Sequence, residues 1–301
     1  MQRITRDCLQ VVFDRRIEPV AIVEPGEVIM VETEDARGGR NRTPETTSPA
    51  YLTEMRRKGW YGNPVTGPIL VSGAEQGDTL AVTIHSQTCD SLGWIPIWPF
   101  LFHFEDLFHE PNTLLVEIRE GFVELPHGVR VPVRPMIGTI GTAPAMEAIL
   151  SGGMGRHGGN IDTEEVCAGS TIHLPVAVDG ALLSLGDCHA VQSDGELASV
   201  EMRSEVTLSC AVIKGRSPVM SWPRIETADS LVTVAVGRPL EEALAHAFRD
   251  LILWVVELTG RSNQEAYAVI GTAGHARPGQ AQVGLYSMRC MVPKSVLPPF
   301  A

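Results

Sequence analysis

Short apolar runs separated by turn residues fill the first part of the chain and predict strands. From residue 19, the pattern PVAIVEPGEVIMVETEDA predicts two strands joined by a turn at Pro25–Gly26, the second ending at 33–35. Residues 67–86 predict a second hairpin-like unit, with two apolar runs on either side of a turn at 73–78. Residues 36–66 show no sustained period and predict a long loop.

The same strand pattern continues in the second half. Residues 170–186 contain two apolar runs around Asp179–Gly180, which is a strong hairpin signal. Residues 198–213 alternate apolar and polar positions, which predicts a half-buried strand with Glu201 and Glu205 on its wet face. These runs indicate that strands outnumber helices.

Helix signals are few and lie mostly near the C-terminus. Residues 239–260 carry one apolar stripe at helical spacing and end at Gly260, which predicts one long helix. Residues 262–265 form a capping box that predicts a second helix after it. Thr142 predicts the cap of a short helix over 143–150, and the glycine-rich residues 151–160 predict an irregular loop.

Composition narrows the class of protein. The chain has 301 residues, 44% of them hydrophobic, and its 29 glycines and 21 prolines favour a turn-rich, mainly β architecture. The formal charge of −12 argues against nucleic-acid and anionic-membrane partners, which attract basic patches. We find neither a signal peptide nor a run long enough to span a bilayer, and the six scattered cysteines indicate reduced thiols, so we expect a cytoplasmic protein.

Aromatic side chains are concentrated in one segment. Residues 93–104, GWIPIWPFLFHF, hold the aromatic maximum of a chain that is only 6% aromatic. Such a segment packs either in a core or along a pocket, and we favour the core because large apolar residues are usually buried there.

Candidate chemistry is densest in residues 186–196, GDCHAVQSDGE. Asp187 and His189 are two positions apart, which on an extended strand places both side chains on one side. A carboxylate and an imidazole suit Zn²⁺ or another divalent ion, and a catalytic site needs about three such ligands. The glycines of 158–163, GGNIDT, allow the backbone to bring Asp162 inward as the third ligand.

Further polar residues in these two segments have candidate roles. Glu196 is placed to carry a proton from an activated water to a leaving group. Asn160 and Gln192 are candidates to orient a substrate carbonyl by hydrogen bonds. His157 is a weaker candidate for a fourth ligand, and a separate site at His103 and His109 is less favoured than a surface loop.

Four stretches, taken together, resemble the acetamidase/formamidase family of metal-dependent amide hydrolases. They are TEDA (33–36), TGPILVSGAEQGDTLAVTI (66–84), PMIGTIGTAPA (135–145), and GGNIDT through GDCHAVQSDGE (158–196).

The resemblance implies hydrolysis of a small linear amide of the formamide or acetamide type, with release of ammonia. It implies a divalent metal, which we expect to be Zn²⁺ with Ca²⁺ as a second ion, and a homodimer or higher homo-oligomer. Asp35, in the TEDA stretch, becomes a candidate either to support a metal ligand by a hydrogen bond or to bind a second metal ion. Cys188 and Ser193 stand where the family usually has glycine, which leaves the substrate preference open.

The implied fold consists of β-sandwich or jelly-roll-like elements with an added α+β portion. We expect a single unit over 1–301, with a β-rich part over about 1–135 and a metal-site-bearing part over 136–301.

Two other classes of function remain open from the sequence. A cupin-like metal oxidoreductase or isomerase also uses strand-tip ligands, but it needs two histidines about two apart, and His189 has no such partner at 187 or 191. A non-catalytic module could hold Ca²⁺ with oxygen ligands from Asp162, Asp187, Asp194 and Glu196.

Overall fold

The computed structural model describes residues 1–58, 62–215, 220–282 and 284–298. Within these ranges the strands of the first half are β1 (Gln2–Ile4), β2 (Leu9–Gln10), β3 (Val12–Phe13), β4 (Ala21–Val23), β5 (Val28–Thr33), β6 (Val65–Val71), β7 (Thr79–Gln87), β8 (Leu92–Ile97), β9 (Asn112–Arg119), β10 (Phe122–Glu124) and β11 (Arg130–Pro132). Those of the second half are β12 (Met136–Gly141), β13 (Ile149–Leu150), β14 (Met154–Gly155), β15 (Gly158–Asn160), β16 (Thr171–Pro175), β17 (Leu183–Gln192), β18 (Ser199–Met202), β19 (Ser204–Ile213), β20 (Arg224–Glu226), β21 (Ser230–Gly237), β22 (His275–Pro278) and β23 (Tyr286–Pro293). The helices are α1 (Pro49–Arg57), α2 (Leu240–Thr259) and α3 (Asn263–Ala273).

Two large sheets contain nearly all of these strands. The first has the order β1-β5-β19-β7-β16-β20-β21-β23-β22. The second runs β11-β10-β9-β8-β18-β17-β12-β15-β14, with β6 also paired to β17 and to β2 and β4. Strands from 1–135 pair with strands from 136–301 in both sheets, as in β5 with β19 and β8 with β18.

The main core lies between the two sheets. Ile29, Leu80 and Leu208 of the first sheet belong to one buried cluster with Ile140 and Leu185 of the second. Because both sheets bury one apolar face against the other, the arrangement is a β-sandwich. The predicted mainly β fold with C-terminal helices is therefore confirmed.

The helices add a third layer on the first sheet. In β21 the alternate residues Leu231 and Ala235 pack with α2 and α3, whereas Val232 and Val234 belong to the inter-sheet core. Helix α2 ends at Gly260, whose φ of 65° is the left-handed conformation expected of a glycine after a helix. The capping box of Ser262 and Glu265 is also present, so both predicted helices are confirmed.

Three predicted hairpins are wrong, because the two strands of each belong to different sheets. In the first of them, β4 pairs with β6 in the second sheet, whereas β5 pairs with β19 in the first. β6 and β17 pair in the second sheet, whereas β7 and β16 pair in the first. The turns after β6 and β16 therefore carry the chain across the sandwich, and they contact each other through Gly77 N donating to Val176 O and Gly180 N donating to Ala74 O. The turn residues were identified correctly, but a turn does not specify which sheet the next strand joins.

Three local predictions also need correction. The proposed loop over 36–66 contains helix α1, and the proposed loop over 151–160 contains the paired strands β14 and β15. The proposed helix over 143–150 is absent from these residues, which the structure describes throughout. Thr142 instead donates its hydroxyl hydrogen to Pro175 O at 2.8 Å, and its backbone N–H donates to His157 O.

None of the helices in the described ranges is both long enough and apolar enough to cross a lipid bilayer.

Candidate active site

Five ionisable side chains converge in the second sheet. Asp187 and His189 lie on β17, Glu201 on neighbouring β18, Asp162 follows β15, and Glu196 follows β17. Each is at most 5% exposed. Ligand atoms of Asp162, Asp187 and His189 lie within 4.8 Å of one another, and so do those of His189, Glu196 and Glu201. We call these five residues the acidic cluster.

Three of the four carboxylates lie on backbone in the left-handed region. The φ angles of Asp162, Asp187 and Glu196 are 43°, 54° and 49°. This conformation is uncommon outside glycine and asparagine or aspartate, and such residues concentrate at functional sites. Asp187 is therefore not in the regular extended conformation that the sequence predicted, although its Oδ1 still lies 3.6 Å from His189 Nε2.

A glycine makes room behind the acidic cluster. Gly138 lies on β12, next to β17, and a Cβ atom there would be 2.6 Å from both Asp162 Oδ1 and the backbone oxygen of Asp187. The same atom would be 3.0 Å from His189 Cε1. The missing side chain thus allows the two aspartates and the histidine to approach the strand closely.

Amide and hydroxyl groups hold one oxygen of each aspartate. Asp162 Oδ2 accepts a hydrogen bond from Asn160 Nδ2 at 2.5 Å, and Asp187 Oδ2 accepts from Asn63 Nδ2 at 2.7 Å and Thr139 Oγ1 at 3.1 Å. Asn160 Oδ1 in turn accepts from Asn63 and Thr139. Within the described residues, Oδ1 of Asp162 and of Asp187 is buried without a hydrogen-bond partner.

Gln192 fixes the orientation of the His189 ring. Its Oε1 lies 2.8 Å from His189 Nδ1, while its Nε2 donates to the backbone oxygens of Asp162 and Gly279 at 2.9 and 3.1 Å. Since Gln192 Oε1 only accepts, Nδ1 carries a hydrogen, and Nε2 is the nitrogen whose lone pair becomes available when the ring is neutral. The predicted hydrogen bond from Gln192 to a substrate carbonyl is wrong, because both of its donor hydrogens bind backbone.

Burial and mutual repulsion shift the proton affinities of this group. Burial raises the pKa of Asp162 well above its ordinary value, and the nearby Glu196 and Asp187 add to the effect. Burial also raises the pKa of Glu196, and it raises that of Glu201 to about 7. For His189, burial lowers the pKa, but the carboxylates of Glu201 and Asp187 outweigh it and raise the pKa well above the usual value. Without a cation, the site therefore retains protons near neutrality.

Glu201 is the main residue that the sequence interpretation missed. It was placed on a wet strand face with Glu205, but it is 4% exposed, and its Oε1 lies 3.1 Å from His189 Nε2. The predicted single strand over 198–213 is wrong, because it breaks after Met202 into β18 of the second sheet and β19 of the first. Glu201 therefore pairs with His189 across β18 and β17, whereas Glu205 lies in the other sheet. Glu205 is one-third exposed and pairs with Arg3, as a surface residue should.

Asp35 is not a ligand in either group of the acidic cluster. Its Oδ1 accepts from the backbone N–H groups of Arg37 and Gly39 at 2.8 and 3.1 Å, which stabilises a tight turn. In that turn, Ala36 N donates to Glu201 Oε2 at 3.4 Å. Asp35 therefore contacts the site through this turn and lies outside both groups of possible ligands. Its Oδ2 is buried without a hydrogen-bond partner among the described residues, so its assignment as a metal ligand stays a prediction.

The weaker candidates also lie elsewhere. His157 is buried against Phe13. Neither group of possible ligands contains His157, His103 or His109. Asp194 pairs with Arg289 and Arg277. The alternative of a calcium-binding module therefore loses Asp194 as an oxygen ligand. The cupin alternative loses support because, among the described residues, His189 is the one histidine in either group of possible ligands.

A cavity of about 430 Å³ opens onto the acidic cluster. Asn63, Asn160, Asp187, Glu196 and Glu201 line its polar part. Another part is lined by Trp94, Pro96, Trp98 and Leu101, so these members of the aromatic segment form a pocket wall, in contrast to the core packing that we favoured. Trp94 is both a core residue and a lining residue, because it is only 1% exposed and still contacts the cavity.

Comparison with known proteins agrees with this geometry. The sequence matches the acetamidase/formamidase family over residues 6–153 and 148–274. An acetamidase from Bacillus halodurans, known from a crystal structure, aligns with a TM-score of 0.89 and 33% identity over 97% of each chain. A formamidase from Methylophilus methylotrophus is 24% identical over 332 positions, 84% of this chain and 80% of that protein.

A putative formamidase from Schizosaccharomyces pombe is 26% identical over 253 positions, or 64% of this chain. The aligned region spans 61% of that protein's length. Because the family match covers most of the sequence and the fold agrees, the resemblance seen in the motifs is confirmed, and this chain belongs to the acetamidase/formamidase family.

Proposed function

We propose that this protein hydrolyses a linear amide to a carboxylate and ammonia, at a divalent metal site formed by Asp162, Asp187 and His189. The observation that carries the proposal is the set of buried ligand atoms without hydrogen-bond partners: Asp162 Oδ1, Asp187 Oδ1 and His189 Nε2. Glu201 Oε1 lies 3.1 Å from His189 Nε2 but does not make a hydrogen bond with it. Buried polar atoms are nearly always hydrogen-bonded, so three neighbouring exceptions indicate a bound group.

These donors fit a divalent cation. Two carboxylate oxygens and one imidazole nitrogen make a three-ligand set of the kind found in catalytic zinc sites. The hydrogen bond from His189 Nδ1 to Gln192 and those from Asn160 and Asn63 to the aspartates orient each ligand, as supporting residues do at metal centres. A cation would also offset the repulsion among four buried carboxylates.

When bound, such an ion would supply an activated water at neutral pH and polarise the amide carbonyl. Glu196 lines the cavity, and its Oε2 is buried without a hydrogen-bond partner. Because burial raises its pKa, Glu196 suits the role of taking a proton from water and giving it to the departing nitrogen. Asn160 Nδ2 has a second hydrogen besides the one given to Asp162, so Asn160 remains the proposed donor to the substrate carbonyl.

The test combines metal analysis with an ammonia assay. We expect the purified protein to contain a stoichiometric divalent metal, with zinc as the first expectation, and to release ammonia from formamide or acetamide until a chelator is added. His189→Ala should lose both metal and activity. The exposed His85, which bonds Ser209, provides the matched control, and His85→Ala should retain both. Metal-free protein with full activity would overturn the metal site, and inactivity on a broad amide panel would overturn the reaction.

A second cation is a separate part of the proposal. The second group around His189 contains Glu201, which has no part in the proposed proton transfer, and we propose that Glu201 holds Ca²⁺ while Glu196 stays available to carry the proton. Glu201→Gln should then lower calcium content without lowering zinc content. Equal loss of both metals would show a single shared site.

A further inference from the structure

The cavity is larger than the smallest amides require. Its volume of about 430 Å³ lies within the range of roughly 300–1,000 Å³ that is typical of pockets for drug-sized ligands. A water molecule takes about 30 Å³ of liquid, so the cavity has room for more than ten groups of roughly that size. Formamide and acetamide, with a few non-hydrogen atoms each, would leave most of it filled with water.

One wall of the cavity is apolar because of the period of strand β8. Trp94, Pro96 and Trp98 are at alternate positions along and just beyond this strand, and all three line the cavity. Residues two apart on a strand share a face, so the sequence WIPIW presents both tryptophans and the proline between them on one side. Leu101, in the short helical turn that follows, extends the same wall.

This wall is held in place. The Trp98 ring stacks with Phe100 at a centroid distance of 5.9 Å and an angle of 18°. The guanidinium of Arg37 lies over the Trp98 ring at 4.6 Å and over the Trp94 ring at 6.0 Å. A preordered apolar surface loses little side-chain entropy when a ligand binds to it.

The wall beyond the acidic cluster disfavours a charged acyl group. Trp94, Trp98 and Leu101 offer no charge to pair with, and Arg37, the one basic side chain among the described lining residues, already has its guanidinium over the two indole rings. A charged group placed there would lose its hydration without a matching partner. The part of the substrate beyond the amide is therefore expected to be uncharged and apolar.

We propose that the preferred substrate is an amide whose acyl group is neutral, apolar and about the size of an aromatic ring, with this group packed against Trp94, Trp98 and Leu101. The inference rests on the proposed amide hydrolysis and names its substrate class. The amide carbonyl would then lie at the acidic cluster and the acyl group along β8.

The test compares kcat/KM for acetamide, phenylacetamide and succinamate. A single methylene in an apolar pocket changes kcat/KM by about 10–200-fold, so we expect phenylacetamide to exceed acetamide by at least about 100-fold. Trp98→Ala should lower kcat/KM for phenylacetamide by at least about 10-fold more than for acetamide. Phe104 lies in the same segment, stacks on Phe102 and is not among the cavity-lining residues, so Phe104→Ala should leave the preference unchanged.

A binding measurement separates this inference from the reaction itself. By calorimetry, phenylacetate should bind at least about 10-fold more tightly than acetate, and Trp98→Ala should abolish the difference. Hydrolysis of acetamide without a preference for phenylacetamide would overturn the substrate class and leave the proposed function intact. Tight phenylacetate binding with no hydrolysis of any amide would overturn the function instead, and a preference for succinamate would show that the pocket accepts an anion.

Discussion

The replacement Gly138→Ala tests whether the close approach of Asp162, Asp187 and His189 to β12 matters for activity. The new Cβ would lie 2.6 Å from Asp162 Oδ1 and from the backbone oxygen of Asp187. To restore ordinary contact these atoms must retreat by about 0.8 Å, and a displacement of about 1 Å at a reacting centre costs roughly 100-fold in rate. We therefore expect kcat/KM for the preferred amide to fall by about 10–100-fold.

The same change should cost some stability, since an extra methyl group in a packed site costs about 1–3 kcal/mol. Gly152 provides the matched control, because a Cβ atom there meets nothing within 4 Å and its φ lies outside the positive range. The assays are amide hydrolysis, metal content and circular dichroism, the last confirming that both variants fold. If Gly138→Ala keeps activity and metal within twofold of Gly152→Ala, the inferred packing around the ligands is wrong.

Three further changes test other parts of the structure. Burial lowers the pKa of His157 to about 4, so below pH 6.5 the unfolded chain binds a proton that the folded chain does not bind. Between pH 6.5 and 4 the free energy of unfolding of the wild type should therefore fall by roughly 3 kcal/mol more than that of His157→Gln. Urea unfolding at each pH measures the difference. Arg289 is 1% exposed and pairs with Glu165 at 2.7 Å and with Asp194. Arg289→Met should therefore lower the free energy of unfolding by about 3 kcal/mol, as measured with urea. An unchanged urea midpoint would contradict a structural role for these pairs. Gly271→Ala in α3 adds a methyl group to open space and should stabilise the protein by about 0.5–1 kcal/mol in the same assay, whereas destabilisation would mean that the site is more crowded than described.

The parts of the fold that could be predicted from sequence are those with local causes. The period of β19, the stripe and terminal glycine of α2 and the capping box of α3 each depend on neighbouring residues, and each was predicted. The three wrong hairpins depend on which strand pairs with which. Turn residues at 72–78 and 176–182 mark where the chain bends, but the sandwich core decides which sheet receives the next strand.

The candidate site shows the same division. The residues between glycines, Asp162, Asp187 and His189, were recognisable as possible ligands, and the structure brings them together. Glu201 and Asn63 were missed, because Glu201 contacts His189 through strand pairing and Asn63 reaches Asp187 from 124 positions away. Gln192 was predicted to orient the substrate, but it bonds His189 and the backbone of Asp162 and Gly279 and so orients the His189 ring instead.

The order of strands in the first sheet also has a consequence for biosynthesis. β5 pairs with the early strand β1 on one edge and with β19 on the other, through residues such as Thr33 and Ser204. A strand made early on the ribosome therefore waits about 170 residues for its second hydrogen-bonding neighbour. At translation speeds of about 5–20 residues per second, that delay is of the order of ten seconds or more. During this interval Ile29 and Val31, the apolar side of β5, lack the cover that the completed sandwich gives them, and the open edge of the strand can pair with other chains.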